Sequence, residues 1–153
     1  MSVNKSELYN FVPMTIEDLD HVYSLEVESY QFPWTKEILR DCILYNYDSY
    51  SVFFGNKLVG YIISKISLPE THILNITVDS SFRNNGIGRS LVNLIIDYAR
   101  LRNSEDILLE VRESNLEAQS LYKKLQFKKI GIREGYYKCS DGREDALVFR
   151  LKL

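Results

Sequence analysis

Two stretches of the sequence combine residue types and spacings that could do chemistry. The first is Arg83-Asn84-Asn85-Gly86-Ile87-Gly88-Arg89, a glycine-bearing turn directly ahead of a helical run. Glycines at such a place let backbone N–H groups turn inward at a helix N-terminus, where unpaired donors and the helix dipole favour an anion. A diphosphate meets that description, and so does an ordinary turn. A Walker loop would need Gly-Lys-Ser/Thr, but Gly88 is followed by Arg89-Ser90. A dinucleotide fingerprint would need a third glycine or alanine and a place near the first strand of a parallel sheet. The second stretch is residues 107–112 with the helix that follows. Period two puts Glu110 on the face opposite Leu109 and Val111, where it is either an acid–base group or a solvated strand carboxylate. Asn115 and Tyr122 stand two helical turns apart and share a face, which suits one extended ligand, although Tyr122 could equally be a core residue.

These groups need a frame, and the hydrophobic periodicity supplies one. A first strand is expected over residues 8–12, ending at Pro13. Thr15 and Asp18 form a capping box for a helix with Ile16, Leu19, Val22, Tyr23 and Val27 on one face, closing before Pro33. Thr35 can cap a second helix with Ile38, Leu39, Cys42 and Ile43 on one side. The period then changes to two. SYSVFF and KLVGYIISKI read as strands joined by a tight turn at Gly55-Asn56, and THILNITV as a third strand. After the glycine loop, Leu91, Leu94, Ile95, Tyr98 and Ala99 recur at helical spacing. ILLEVR is a strand, Ser114 with Glu117 forms a capping box for LEAQSLYKKL, and a last hairpin turns at Ser140-Asp141-Gly142. The order β-α-α-β-β-β-α-β-α-β-β predicts an α/β fold, a mixed sheet with helices on its faces, in one domain spanning residues 1–153.

Composition narrows the function. A net charge of -2 lacks the basic excess of a protein that neutralises phosphates, so no nucleic-acid partner is expected. Cys42 and Cys139 belong to no C-x-x-C or His/Cys cluster, which predicts reduced thiols, no metal site and no cysteine nucleophile. No uninterrupted apolar stretch reads as a signal peptide or a membrane span, so a cytoplasmic protein without a membrane partner is expected.

The R-x-x-G-x-G segment, placed after a strand ending in Val78, resembles the coenzyme A pyrophosphate loop of the GNAT acetyltransferases. Further strings extend the resemblance over nearly the whole chain: Phe32-Pro33-Trp34, Glu110-Val111-Arg112, Ser114-Asn115, Leu121-Tyr122, Arg133 with Tyr136-Tyr137, and residues 141–146, DGREDA. The EVR-x-SN and DGREDA strings are similar to those of the bacterial ribosomal-protein alanine N-acetyltransferases within that family. The resemblance implies a GNAT fold, acetyl-CoA as cofactor with coenzyme A as product, and a protein N-terminus as acceptor, an N-terminal alanine of a small-subunit ribosomal protein. It implies that residues 83–89, namely Arg83, Asn84, Asn85, Gly86, Ile87, Gly88 and Arg89, cradle the diphosphate. Asn115 would bind the coenzyme A arm, and Ile76, Thr77 and Val78 would present backbone to the pantetheine and thioester, with the Val78 N–H as oxyanion donor. Glu110 would be the general base, and Tyr122 would donate a hydrogen bond or proton to the departing sulfur. Phe32, Trp34, Arg133, Tyr136 and Tyr137 would line the peptide, although Phe32-Pro33-Trp34 and Tyr136-Tyr137 could each equally be core. Two departures stand out. Gln126 occupies a position where the family commonly has a helix-ending glycine, and Asn84-Asn85 stand where basic residues or glutamine are common, leaving fewer charges at the diphosphate.

An α-amine titrates near ~7.7–8.0 and a lysine near ~10.4, so roughly a tenth of the former is already neutral near pH 7. One carboxylate working through water suffices for it. His72 is the rival base, since histidine titrates near ~6.5. Six residues before Val78, on the order of 20 Å along an extended strand, it is expected at an edge or rim. Arg133 either orients a wall or pairs with Glu134 at the surface. With no cysteine nucleophile, the acetyl group is expected to pass directly within a ternary complex. A small-molecule amine as acceptor and a non-catalytic acyl-CoA domain are the alternatives. The EVR-x-SN and DGREDA strings weigh against the first, and the joint presence of Glu110 and Tyr122 against the second.

Overall fold

The structure, a computed structural model, describes residues 8–153. The chain runs β1 (Tyr9–Pro13), a 3-10 turn (Ile16–Asp18), α1 (Leu19–Ser29), α2 (Lys36–Leu44), β2 (Asp48–Phe54), β3 (Lys57–Ser67) and β4 (Glu70–Val78). A second 3-10 turn (Ser80–Phe82) leads into α3 (Ile87–Leu101), β5 (Asp106–Arg112), α4 (Leu116–Lys124), β6 (Lys128–Cys139) and β7 (Gly142–Lys152). Element for element this is the expected mixed α/β order. Among the described residues no helix is long and apolar enough to cross a membrane.

One compact unit comprises the chain up to Ser64 together with residues 75–92. In it β1 pairs antiparallel with β2, and β2 with β3 across the two-residue turn Gly55-Asn56, with Phe54 opposite Lys57. The N–H of Thr15 donates to Asp18 Oδ2 at 2.9 Å, as a capping box requires, but the turn it opens is 3-10, and the α-helix starts only at Leu19. That tighter turn shifts the phase of the helix. The buried stripe runs through Leu19, Val22, Leu25 and Glu26, while Ile16 and Val27, expected inside, are exposed. Thr35 caps α2 through its side-chain oxygen, which accepts the Ile38 N–H at 3.2 Å, and Leu39 and Cys42 are buried below it. Gly60 faces Val52 in the register, and a Cβ on it would come within 3.0 Å of both the Thr77 carbonyl oxygen and Val52 Cγ1. Glycine there permits close backbone approach to the end of β4.

The other unit comprises residues 65–74 and 93–153. Its strands lie in the order β4-β5-β7-β6: β4 is parallel to β5, and β7 is antiparallel to both neighbours. Ile107, Leu109, Val111, Phe127, Leu147 and Phe149 form its core. Helix α4 is capped one residue later than expected. Asn115, not Ser114, is the N-cap, its Oδ1 accepting the Ala118 N–H at 3.1 Å, while the Ser114 N–H points to Glu144 Oε2 at 3.3 Å. Asparagine caps at least as well as serine, so two adjacent candidates resolve in favour of the one whose neighbour has another partner. At the far end Gln126 does take the left-handed conformation, φ 74, letting the Phe127 N–H reach the Tyr122 carbonyl at 3.0 Å.

Candidate active site

Along β5 the side chains alternate between buried Ile107, Leu109 and Val111 and the half-buried Leu108, Glu110 and Arg112. The parallel register sets His72 of β4 beside Leu108, on the same face as Glu110. His72 Nε2 lies 2.7 Å from Glu110 Oε2. On the other side, β6 delivers Arg133, whose Nη1 donates to Glu110 Oε1 at 3.2 Å. Both carboxylate oxygens are therefore engaged, and the side chain is 13% exposed. The hydrogen bond from His72 holds the Glu110 carboxyl below the ordinary carboxylate range, helped by the positive charge of Arg133, although burial works the other way. His72, expected at a rim, is a direct partner of the candidate base, and Arg133 pairs with Glu110 rather than with its neighbour Glu134.

Two tyrosines complete this cluster. The register of β6 against β7 shifts between Arg133 and Tyr137, which turns Tyr136 and Tyr137 edge to face at 4.9 Å between ring centroids. The Arg133 guanidinium sits 4.9 Å over the Tyr136 ring, and that of Arg112 4.4 Å over Tyr137. Arg112 is itself fixed by Glu144 Oε1 at 2.7 Å and the Lys138 carbonyl at 2.9 Å. Burial raises the Tyr137 phenol above its ordinary pKa, and the Glu110 charge adds to that, so Tyr137 stays a protonated donor.

The two candidate residues of α4 differ in setting. Asn115 is exposed and engaged as the helix cap. Tyr122 is 3% exposed, its ring against Phe127 at 5.8 Å and Phe149 at 6.2 Å. Asn115 is therefore open to solvent at the start of the helix, and Tyr122 lies in an aromatic cluster near its end.

In the first unit, the glycine segment turns directly into a helix N-terminus. Asn84 and Gly86 have positive φ, 63 and 77, and α3 begins at Ile87. The Ser90 N–H closes the first helical bond onto the Gly86 carbonyl at 3.0 Å, so the N–H groups of Ile87, Gly88 and Arg89 have no partner in the helix. Donors of that kind, next to Arg83 and Arg89, match a diphosphate. Asn85 has a different duty: its Nδ2 donates to the Phe82 and Arg83 carbonyls at 3.0 and 3.2 Å and braces the loop. Ile76 and Val78 are half-buried at the end of β4, with Thr77 buried between them. Phe32 is exposed and Trp34 half-buried in the irregular segment after α1.

Sequence reasoning missed Glu26. It is buried in α1, where its carboxylate accepts from the Tyr61 hydroxyl, from Asn75 Nδ2 at 2.8 Å and from the Trp34 backbone N–H at 2.9 Å. A signal existed in its spacing: four residues after Val22, Glu26 continues the apolar stripe of its helix.

Comparison with known proteins identifies the family. The model of the acetyltransferase (GNAT) family matches residues 19–127. The [ribosomal protein bS18]-alanine N-acetyltransferase of Escherichia coli K12 is 33% identical over 136 residues, covering 89% of this chain and 92% of the relative. The protein of the same name from Salmonella typhimurium is 30% identical, with 92% and 95% covered. A crystal structure of the ribosomal-protein-S18-alanine N-acetyltransferase from Escherichia coli superposes with a TM-score of 0.88 at 31% identity, covering 94% of this chain and 93% of that one.

Proposed function

The chain belongs to the acetyltransferase (GNAT) family and is an acetyl-CoA-dependent N-acetyltransferase, and from that premise we propose that its acceptor is the α-amino group of a protein N-terminus. The acceptor class follows the Escherichia coli and Salmonella relatives, named for acting on the alanine of a ribosomal protein, and an N-terminal alanine of a small-subunit ribosomal protein is the specific substrate proposed. A cytoplasmic site of action goes with that acceptor. The observation that carries the proposal is Glu110, an ionised carboxylate fixed at both oxygens beside two tyrosines and an arginine.

Acetyl-CoA supplies the acetyl group as a thioester. The N–H groups of Ile87, Gly88 and Arg89, with Arg83, Asn84 and Gly86 shaping the loop and Asn85 bracing it, hold the diphosphate; Asn115 contacts the pantetheine arm alongside the backbone of Ile76, Thr77 and Val78. The Val78 N–H donates to the carbonyl oxygen as negative charge develops there. Glu110, oriented by His72, receives the amine proton, directly or through water. A carboxylate held this low is a weak base, yet an amine nitrogen becomes cationic and strongly acidic as its new bond forms, so the transfer is not uphill at that point. Tyr122, its ring locked by Phe127 and Phe149, donates a hydrogen bond to the departing sulfur. Phe32, Trp34, Arg133, Tyr136 and Tyr137 wall the acceptor peptide.

The chain acts as one domain. The unit boundaries fall after Ser64, Leu74 and Val92, inside β3, β4 and α3 rather than in linkers. A panel of peptides varied at their first two positions, incubated with acetyl-CoA and read by mass spectrometry, tests the acceptor. Ala-initiated peptides gaining one acetyl group fastest is the expected outcome, and small amines outcompeting every peptide refutes the proposal.

A further inference from the structure

A charge at the centre of a helix stripe costs several kcal/mol unless donors surround it. Glu26 is 2% exposed and has three, from three separate segments. Oε1 accepts from Tyr61 of β3 and from Asn75 of β4, and Oε2 accepts the N–H of Trp34. Trp34 lies in the stretch between α1 and α2, outside any helix or strand, directly after Pro33, which has no N–H to offer.

The same stretch is fixed to β4 at its other end. The Tyr30 hydroxyl donates to the Ile76 carbonyl at 3.0 Å and lies 2.7 Å from Thr77 Oγ1. Thr77 in turn donates to Asn75 Oδ1 at 2.9 Å, and Asn75 returns to Glu26. Residues 30–34 thus form a strap with two pins, Tyr30 on Ile76 and Thr77, and Trp34 through Glu26 on Asn75. Phe32 stands exposed between the pins.

We infer that Glu26 is a positioning residue for acetyl transfer: its carboxylate fixes residues 30–34 to β4 so that Phe32 and Trp34 are presented to the acceptor as a rigid wall. The inference rests on the acceptor reading above. An apolar side chain would fill the helix stripe without burying a charge, but it would leave the Tyr61 hydroxyl, the Asn75 amide and the Trp34 N–H without an acceptor. What Glu26 adds is a bond to a backbone amide that lies outside any helix or strand.

Two measurements test this. In the unsubstituted protein, hydrogen exchange should show the Trp34 amide protected by a factor of ~100 or more over an unstructured amide; exchange at the unstructured rate overturns the inference whatever any variant does. In Glu26→Gln, steady-state kinetics at a temperature where the variant is folded should show the KM for an Ala-initiated peptide raised about tenfold, the size of one lost hydrogen bond to a charged group. The kcat should stay within about threefold, and the acetyl-CoA Kd within about twofold. A lowered melting temperature with an unchanged peptide KM would mean that Glu26 only stabilises the fold, and the inference falls. If the unsubstituted protein acetylates no peptide at all, the acceptor reading fails instead, and Trp34 protection still decides whether the strap is pinned.

Discussion

Replacing His72 by glutamine exchanges the rigid ring that holds one oxygen of Glu110 for a flexible amide and leaves Arg133 on the other oxygen. The sign of the effect on the carboxyl is fixed. His72 is the main cause of its low pKa, so the pKa rises in the variant, but even a full return to the ordinary 4.5 leaves Glu110 ionised at pH 7. Any loss of rate must therefore come from misplacement and not from protonation. A carboxylate held on that side only by a flexible amide is displaced by up to about 1 Å, which costs up to ~10²-fold in rate, so His72→Gln should lower kcat by ~10 to 10². Glu110→Gln removes the base itself and should cost ~10²–10⁴. Because His72 acts through Glu110, the double variant should be no slower than Glu110→Gln alone. Initial rates of acetylation of an Ala-initiated peptide, measured at saturating acetyl-CoA between pH 6.5 and 9, provide the check. The acid limb belongs to the amine, near ~7.7–8.0, and should keep its place in His72→Gln. Two results would refute the reasoning: effects that multiply in the double variant, or a His72→Gln defect that fades as pH rises.

Three further outcomes are expected. Gln126 occupies the left-handed region at φ 74, which costs a side-chain-bearing residue ~1–2 kcal/mol, while glycine gives back ~0.5–1 through its unfolded-state freedom; Gln126→Gly should raise stability by about 0.5–1 kcal/mol in urea unfolding with activity unchanged. Asn115 caps α4, so Asn115→Ala should lose ~1 kcal/mol of stability and Asn115→Asp almost none. Both should weaken acetyl-CoA binding by calorimetry if the amide also holds the coenzyme A arm, and binding preserved in Asn115→Asp would remove that role. The folded pKa of Glu110 lies below its unfolded value, so its contribution to stability is complete above about pH 4.5 and disappears as pH falls through the folded pKa. The stability gap between the unsubstituted protein and Glu110→Gln should therefore be flat above that pH and narrow below it, and a gap that widens on acidification contradicts the hydrogen bond with His72 and the ion pair with Arg133.

Which features are legible in the sequence follows from how far apart along the chain their causes lie. The turn at Gly55-Asn56 and the Thr35 cap are each specified within a few residues and form where expected, and the glycine loop forms at Arg83 although the helix after it starts already at Ile87. Phase errors stay small and local: a 3-10 turn before α1 exposes Ile16 and Val27, and Asn115 displaces Ser114 as a cap. The partners of Glu110 are another matter. His72 reaches it only because β4 and β5 pair in a parallel register that sets His72 against Leu108, and that register is chosen after the chain has travelled through all of α3. Counting residues along one strand puts His72 far from the chemistry, because distance along a strand says nothing about the neighbour across the ladder. Arg133 arrives from β6 across β7, a strand further away, beside an irregularity in the register that no local pattern announces. Glu26 is hidden in another way. Its position on the α1 stripe is visible, but a carboxylate there reads as solvated until Trp34, Tyr61 and Asn75 converge on it. Periodicity assigns faces, and a charged residue on the wrong face is the one signal in it that points to a long-range partner. A carboxylate at an apolar helical position is therefore a reason to look for converging donors elsewhere in the chain. In this protein that reasoning starts from Glu26, whose donors fix the segment carrying Phe32 and Trp34.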